Sequence, residues 1–240
     1  TMITLTRKSN NQLSLSTRSL PHTKLRKRPK RKIIVLKTIP YNNKSPIIPK
    51  GTPYKKALKD PLFYITKFMH NHFEIVSLFP NAKEITETMG ILECLYFKIG
   101  INRQSTTTTC YVLGDGNTPR TGAAVAMSSK FKVYSIDPML KPASVTIDKI
   151  NLKSLKDRLN IHKCKSEDFK EIDNLASLSI ILAVHSHADL NEFWLRVPSP
   201  KIAIAIPCCV PQFTDIESSG SYIDNKIFSE KNKVVYWISK

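Results

Sequence analysis

The stretch TCYVLGDGNTPRTGAAVAMSSKFKVYSIDP, residues 109–138, decides the reading of this chain. Cys110, Tyr111, Val112 and Leu113 form a short apolar run that ends at Gly114-Asp115-Gly116. A strand followed by such a loop lets the backbone turn sharply and lets a ligand approach where a side chain would collide. A helix start follows, with Thr118 expected as its N-cap and Pro119 at the first helical position, where the missing N–H costs nothing. Gly122, Ala123, Ala124 and Ala126 are small enough for that helix to lie close on a sheet. Residues 132–136 read as a second strand with Asp137 at its end. The separation of Asp137 from Gly116 along the chain is close to that at which an acid meets ribose hydroxyls in nucleotide-binding β-α-β units. Three of the chain's seven glycines fall within 114–122, a concentration that argues for a built loop.

Charge divides the chain. Positions 1–59 hold 16 Lys or Arg and no Asp or Glu, whereas positions 60–240 hold 21 Lys or Arg against 19 acids. The net charge of +18 therefore sits almost wholly in an N-terminal arm, and the body is close to neutral. An acid-free basic arm is the electrostatic footprint of a polyanion partner, most often nucleic acid. Its densest part is Lys24, Arg26, Lys27, Arg28, Lys30, Arg31 and Lys32, the candidate phosphate-binding segment. A nuclear localisation signal and a solvated charge run are the competing readings. Residues 1–20, rich in Ser, Thr, Asn and Arg, resemble a mitochondrial transit peptide and equally suit the tip of an RNA-binding tail. Pro40, Pro46, Pro49 and Pro53 break any helix, so the arm is expected to run extended, with one short strand at 33–36. The arm shows no sustained amphipathic helix, and no apolar run nears the about 18 residues of a membrane span, so no membrane insertion is expected. Five cysteines without a C-x-x-C pair point to a reducing, intracellular compartment.

Beyond residue 60 the pattern becomes periodic. Leu62, Ile65, Met69, Phe73 and Val76 recur at helical spacing. Asn81 with Glu84 makes a capping-box-like start for a second helix, with Ile85, Met89, Leu92 and Tyr96 as its buried stripe and Gly100 as its stop. After Asp137 the expected elements are a helix at 152–159 and a short strand at 161–164, followed by Glu167 and Asp168. A continuous apolar strand at 178–184 comes next, of the kind covered on both faces. A helix at 188–195, a fifth strand at 201–206 ending in Pro207-Cys208-Cys209, and a hairpin of 222–228 with 234–238 complete the chain.

This order of elements resembles the class I S-adenosylmethionine-dependent methyltransferases over about residues 80–240. The resemblance implies an α/β, Rossmann-like sheet of about seven strands with a terminal antiparallel hairpin and helices on both faces. The chain then divides into an arm at 1–59, two lead-in helices at 60–100 and the sheet domain at 101–240. The resemblance also implies S-adenosylmethionine as cofactor, with Gly114 and Gly116 at its methionine portion, Asp137 on its ribose and Glu167 or Asp168 at its adenine. Arg120, in the first turn of a helix, would pair with a carboxylate or phosphate, and Asp115 completes the candidate cofactor set. The acid this family usually carries two residues before the first glycine is Val112 here, so loss of the cofactor is an open alternative. The fourth strand leaves through Val184-His185-Ser186-His187-Ala188-Asp189, where this fold often keeps catalytic groups, so His185, His187 and Asp189 are the candidate catalytic residues. His-x-His-x-Asp also resembles a metallo-β-lactamase motif, but no histidine follows His187. Neighbouring fourth and fifth strands would let His185 or His187 meet Cys208 or Cys209, as zinc ligands do, and some RNA methyltransferases carry a similar His and Pro-Cys-Cys. Small cysteines are common at strand ends, so no metal is expected.

Two functions follow. The first is an RNA-associated structural or accessory protein of a ribonucleoprotein particle, with the arm on ribosomal RNA and neighbouring particle proteins as partners. A mitochondrial ribosome in the matrix suits the transit-like start. The second is an active S-adenosylmethionine-dependent RNA methyltransferase. A viral particle or nuclear packaging protein is a further alternative, because phosphate contacts carry no sequence information.

Overall fold

The structure is a computed structural model that describes residues 2–7, 13–18, 78–141, 155, 157–209, 213 and 216–239. The cationic cluster at 24–32, the strand expected at 33–36 and the first lead-in helix lie outside the described residues. Residues 1–35 and 36–240 are separate compact units. In the first, β1 (Met2–Arg7) pairs antiparallel with β2 (Leu13–Arg18), with Leu5 opposite Leu15. This part of the arm is a hairpin and not an irregular tail. The alternation Leu13-Ser14-Leu15-Ser16 is a period-two strand signal that the polar composition conceals.

The second unit is built on a seven-stranded sheet of order β5-β4-β3-β6-β7-β9-β8. Its strands are β3 (Thr108–Leu113), β4 (Lys132–Ile136), β5 (Leu159–His162), β6 (Leu178–Val184), β7 (Lys201–Ile206), β8 (Gly220–Ile223) and β9 (Lys233–Ser239). β3 to β7 pair in parallel, and β9 runs antiparallel to both β7 and β8. This is the methyltransferase-type sheet that the glycine stretch implied. The chain steps outward from β3 to β5 and then returns to β6 on the other side of β3. That reversal makes the β3/β6 boundary the switch point over which open α/β sheets bind ligands.

Apolar side chains on both faces of the central strands explain their continuous hydrophobic runs. Cys110, Val112, Ile180, Leu182, Ile202 and Ile204 face one core, shared with α1 (Ala82–Glu93) and α2 (Arg120–Ser128). Tyr111, Leu113, Ile181, Ala183, Ala203 and Ala205 face the other, shared with α3 (Leu190–Arg196). There Tyr111 stacks on Tyr134 at 5.5 Å, with Phe169 and Phe193 edge-on. The buried Lys201 ammonium donates to Trp194 O at 2.6 Å and Val197 O at 2.9 Å, placing a cation at the C-terminus of α3. Desolvation lowers its pKa.

The Asn81 side chain caps α1 by accepting from Glu84 N at 3.0 Å, and Ile85, Met89, Leu92 and Tyr96 are all buried as the periodicity requires. Glu84 does not close the capping box. Its carboxylate takes Arg120 Nη1 at 2.7 Å instead. α1 continues as a π-helical turn, Cys94–Lys98, and stops before Gly100.

Several boundaries differ from expectation: β3 begins at Thr108, two residues before the run at 110–113, α3 runs Leu190–Arg196 where 188–195 was expected, and β8 begins at Gly220. β5 begins at Leu159, two residues earlier than the strand expected at 161–164, because Val133 N of β4 draws in Arg158 O at 2.7 Å and Leu159 is opposite Val133. Leu159 therefore belongs to a strand and not to the helix expected over 152–159. β8 ends at Ile223, since Asp224 accepts from Lys226 N through its side chain and from Ile227 N through its carbonyl, a turn that stops the strand short of residue 228. The helix after the glycine loop starts at Arg120, and Thr118 does not cap it, its hydroxyl bonding Asn117 Oδ1 instead.

Candidate functional site

The cap that Thr118 does not supply comes from the loop itself. Asp115 is buried, and its carboxylate accepts from Thr121 N at 2.9 Å, Gly122 N at 2.8 Å and Ser135 Oγ at 2.8 Å. One side chain thus ties the glycine loop to the start of α2 and to β4. Burial pushes its carboxyl pKa up, while the bonds from Gly122, Ser135 and Thr121 pull it back. The acidic side chain in this loop is held inside the protein.

Gly114 and Gly116 both adopt left-handed backbone, with φ of +70° and +72°. They differ in what surrounds them. A Cβ on Gly114 would stand 2.4 Å from Ser186 Oγ, whereas nothing lies within 4 Å of the same point on Gly116. Gly114 is therefore closed by the exit of β6, and Gly116 leaves room for a ligand.

Asp137 meets this loop from the end of β4. Its Oδ2 accepts from Gly116 N at 3.0 Å and its Oδ1 from Met139 N at 2.6 Å. A carboxylate offers about four acceptor sites, so both oxygens retain capacity for hydroxyl donors. Gly116 and Asp137 together fit the near side of a nucleoside-bearing cofactor. The other candidates are placed differently. Arg120 donates to Leu78 O at 2.8 Å and to Glu84, so its guanidinium clamps α2 to the start of α1. Asp168 is exposed in the turn after β5, and neighbouring Glu167 accepts from Ser166 Oγ.

The exit of β6 is built more tightly than its sequence suggests. His185 takes a positive φ of 49°, rare for a residue with a side chain. Its Nε2 lies 2.7 Å from Oε1 of Glu87, a carboxylate 2 % exposed on α1. Its Nδ1 is buried with no hydrogen-bond partner among the described residues. Lys83 stands 3.5 Å from the same Glu87 oxygen. Asp189 caps α3 through Glu192 N at 3.0 Å. His187 is exposed, with Nε2 3.4 Å from Cys209 Sγ. Of the three candidate catalytic residues, His185 and His187 therefore border one cleft and Asp189 serves a helix.

That cleft, ≈ 460 Å³, lies at the C-terminal ends of β6 and β7 and is also lined by Lys83, Cys208, Phe228 and Lys231. Glu87 and Ser186 are the residues that sequence reasoning missed. Glu87 sits beyond the apolar stripe of α1, and its partner is 98 residues away, so no local signal marks it.

No disulfide joins the five cysteines. Burial pushes the Cys94 thiol up to about 11 and raises Cys110 further. Because a thiol must be reached by the reagent as well as ionised, alkylation at neutral pH is expected first at Cys209, which is exposed although its pKa is raised by Cys208, and last at buried Cys94 and Cys110. Peptide mass mapping over a time course checks this order. Equal rates at all five positions would contradict the buried placement of the two core thiols.

No protein-family model matches this chain, and no curated protein matches it. Solved structures similar to it include a candidate S-adenosyl-L-methionine-dependent methyltransferase from Methanococcus maripaludis, 18% identical with a TM-score of 0.38. That match covers 63% of this chain and 62% of the other, so this chain spans less than two thirds of its length. An S-adenosylmethionine-dependent methyltransferase from Aquifex aeolicus is 17% identical, with a TM-score of 0.39 and coverage of 73% and 96%. Geranyl diphosphate C-methyltransferase from Streptomyces coelicolor, in complex with S-adenosyl-L-homocysteine, is 12% identical, with a TM-score of 0.39 and coverage of 57% and 49%. The methyltransferase-like character of the fold stands on strand order and register.

Proposed function

We propose that this chain is an RNA-associated accessory protein of a ribonucleoprotein particle, in which a methyltransferase-like body serves as a folded platform and the basic arm binds RNA. The observation that carries this reading is the charge division: of a net +18, positions 1–59 hold 16 Lys or Arg and no acid. The body is in keeping with it, because Asp115, Arg120 and Asp189 are each bonded within the fold. A mitochondrial ribosome is the particle favoured by the acid-free composition of residues 1–20, rich in Ser, Thr, Asn and Arg, and ribosomal RNA is then the ligand of the arm.

The test is RNA affinity of the full chain, measured by fluorescence anisotropy over a range of salt. Each phosphate contact contributes about 0.7–0.9 to the slope of log affinity against log salt. Replacing Lys24, Arg26, Lys27, Arg28, Lys30, Arg31 and Lys32 by glutamine is expected to weaken binding uniformly across RNA sequences and to flatten that slope by several units. An unchanged slope would remove the arm from the interface.

A second reading, an active S-adenosylmethionine-dependent RNA methyltransferase, is favoured by the open space over Gly116 beside the Asp137 carboxylate. Gly116 and Asp137 would hold the cofactor, which supplies the methyl group when bound. Glu87 would orient His185 beside the cleft. Calorimetry of the full chain with S-adenosylmethionine separates the readings. Micromolar binding abolished by Asp137→Ala favours the enzyme, and no binding at millimolar cofactor favours the platform.

A further inference from the structure

The parallel register of β6 and β7 brings two distant motifs together. Val184 pairs with Ile206, so the residues that follow them leave the sheet side by side at the same edge. His187 is three residues beyond Val184, and Cys208 and Cys209 are two and three beyond Ile206. Cys209 Sγ lies 3.4 Å from His187 Nε2 and 3.4 Å from Cys208 Sγ. One ligand atom from each of the three residues lies within 4.8 Å of both others.

Those spacings match a particular coordination chemistry. A tetrahedral zinc ion with Zn–S bonds of about 2.3 Å and Zn–N bonds of about 2.0–2.1 Å sets its sulfurs about 3.8 Å apart and a sulfur and nitrogen about 3.6 Å apart. The two separations at Cys209 lie within a few tenths of an ångström of these values, and the third, between Cys208 and His187, is at most 4.8 Å and closes by about 1 Å or less. Thiolate and imidazole donors select zinc over oxygen-seeking calcium or magnesium. Two thiolates also neutralise the dication, so the site adds no net charge to a cleft that Lys83, Lys231 and Glu230 line.

We propose that His187, Cys208 and Cys209 bind one zinc ion at the C-terminal edge of β6 and β7, with a fourth position that no described residue fills facing the cleft that His187 and Cys208 line. On binding, each cysteine thiol loses its proton to solvent, and neutral His187 donates through Nε2, so one zinc ion displaces two protons. The metal would clip the β6 exit to the β7 exit beside the Glu87–His185 pair. A Cys₂His set with a free fourth position is the pattern of zinc sites that accept an exchangeable water or ligand, not of closed structural ones. The inference does not depend on the RNA reading.

The test uses the full chain, purified under reducing conditions, stripped with a chelator and reloaded with zinc alone. Elemental analysis after desalting is expected to give one zinc per chain. Cobalt loaded in its place is expected to show thiolate charge-transfer absorption and the visible bands of a tetrahedral ion. Zinc is expected to slow alkylation of Cys208 and Cys209 and to leave Cys164 unaffected. Cys209→Ser and His187→Ala alter exposed side chains and so leave the fold intact, as circular dichroism will verify. Each is expected to lower zinc affinity by at least tenfold in competition with a chromophoric chelator. Zinc retention unchanged in both variants would overturn the proposal, as would the absence of thiolate absorption with cobalt. Loss of all metal from the wild-type chain on desalting would overturn it too.

Discussion

Replacing Asp115 by alanine is expected to destabilise the protein by about 2–4 kcal/mol. The carboxylate satisfies Thr121 N, Gly122 N and Ser135 Oγ, and the substitution leaves all three without that acceptor in a buried place. Loss of an N-cap costs about 0.5–2 kcal/mol, and stranding a buried polar group costs about 1–3 kcal/mol. Relief of the carboxylate's own burial opposes these terms and keeps their sum below a simple addition. At about 2–4 °C per kcal/mol for a chain of this size, the thermal midpoint falls by roughly 4–16 °C. Asp115→Asn keeps one carbonyl acceptor, so about half that loss is expected. A midpoint unchanged in Asp115→Ala would mean that the loop is not held by this side chain.

The same residue predicts a pH dependence whose sign differs from that of most acids. Burial raises the folded-state pKa of Asp115 above its ordinary 3.8. Between that value and the raised one, the folded state binds more protons than the unfolded state, so stability contributed by this group falls as pH rises through the window. It is fully present below 3.8. On mild acidification wild type is therefore expected to gain stability relative to Asp115→Asn, which does not titrate. Paired denaturation curves at neutral and mildly acid pH measure this difference. A relative loss for wild type would show that the three hydrogen bonds outweigh burial.

Gly114→Ala is expected to cost about 2–5 kcal/mol, and Gly116→Ala only about 1–2 kcal/mol. Both residues have left-handed backbone, which costs an L side chain about 1–2 kcal/mol. Only Gly114 adds a collision, since its new methyl would meet Ser186 Oγ at 2.4 Å, Cβ at 2.8 Å and Cα at 3.1 Å. The last of these is backbone and cannot rotate away, so overpacking of about 1–3 kcal/mol is added. Urea denaturation of the two variants in parallel reads the contrast. Equal losses would mean that β6 yields freely at Ser186. Gly116→Ala has a second use, because it places a methyl in the open space over the loop. Cofactor affinity lost in Gly116→Ala without a matching loss of stability would locate a ligand there.

Much of the sheet was legible in the order of residues. The strands at 132–136, 178–184 and 201–206 have the bounds that their apolar runs give, because strands buried on both faces leave no polar side to blur their ends. The second lead-in helix was legible from Asn81 and its stripe for a similar reason, since cap and period are local. Edges were read less well. β5 and β8 each keep a partner on one side of the sheet only, so a neighbouring turn set their limits and their own composition did not.

The candidate site divides along the same line. Sequence alone determined the glycine loop, the acid at the end of the following strand and the acid-free arm, because each is a matter of residue type and spacing along the chain. Tertiary structure decided which way the charged groups turn. Asp115 caps a helix, Arg120 reaches to Glu84, and Glu87 crosses to His185 over 98 residues. It also set His187 beside Cys208 and Cys209. A buried carboxylate and an exposed one are spelled the same, and only the packing around them fixes what each can bind.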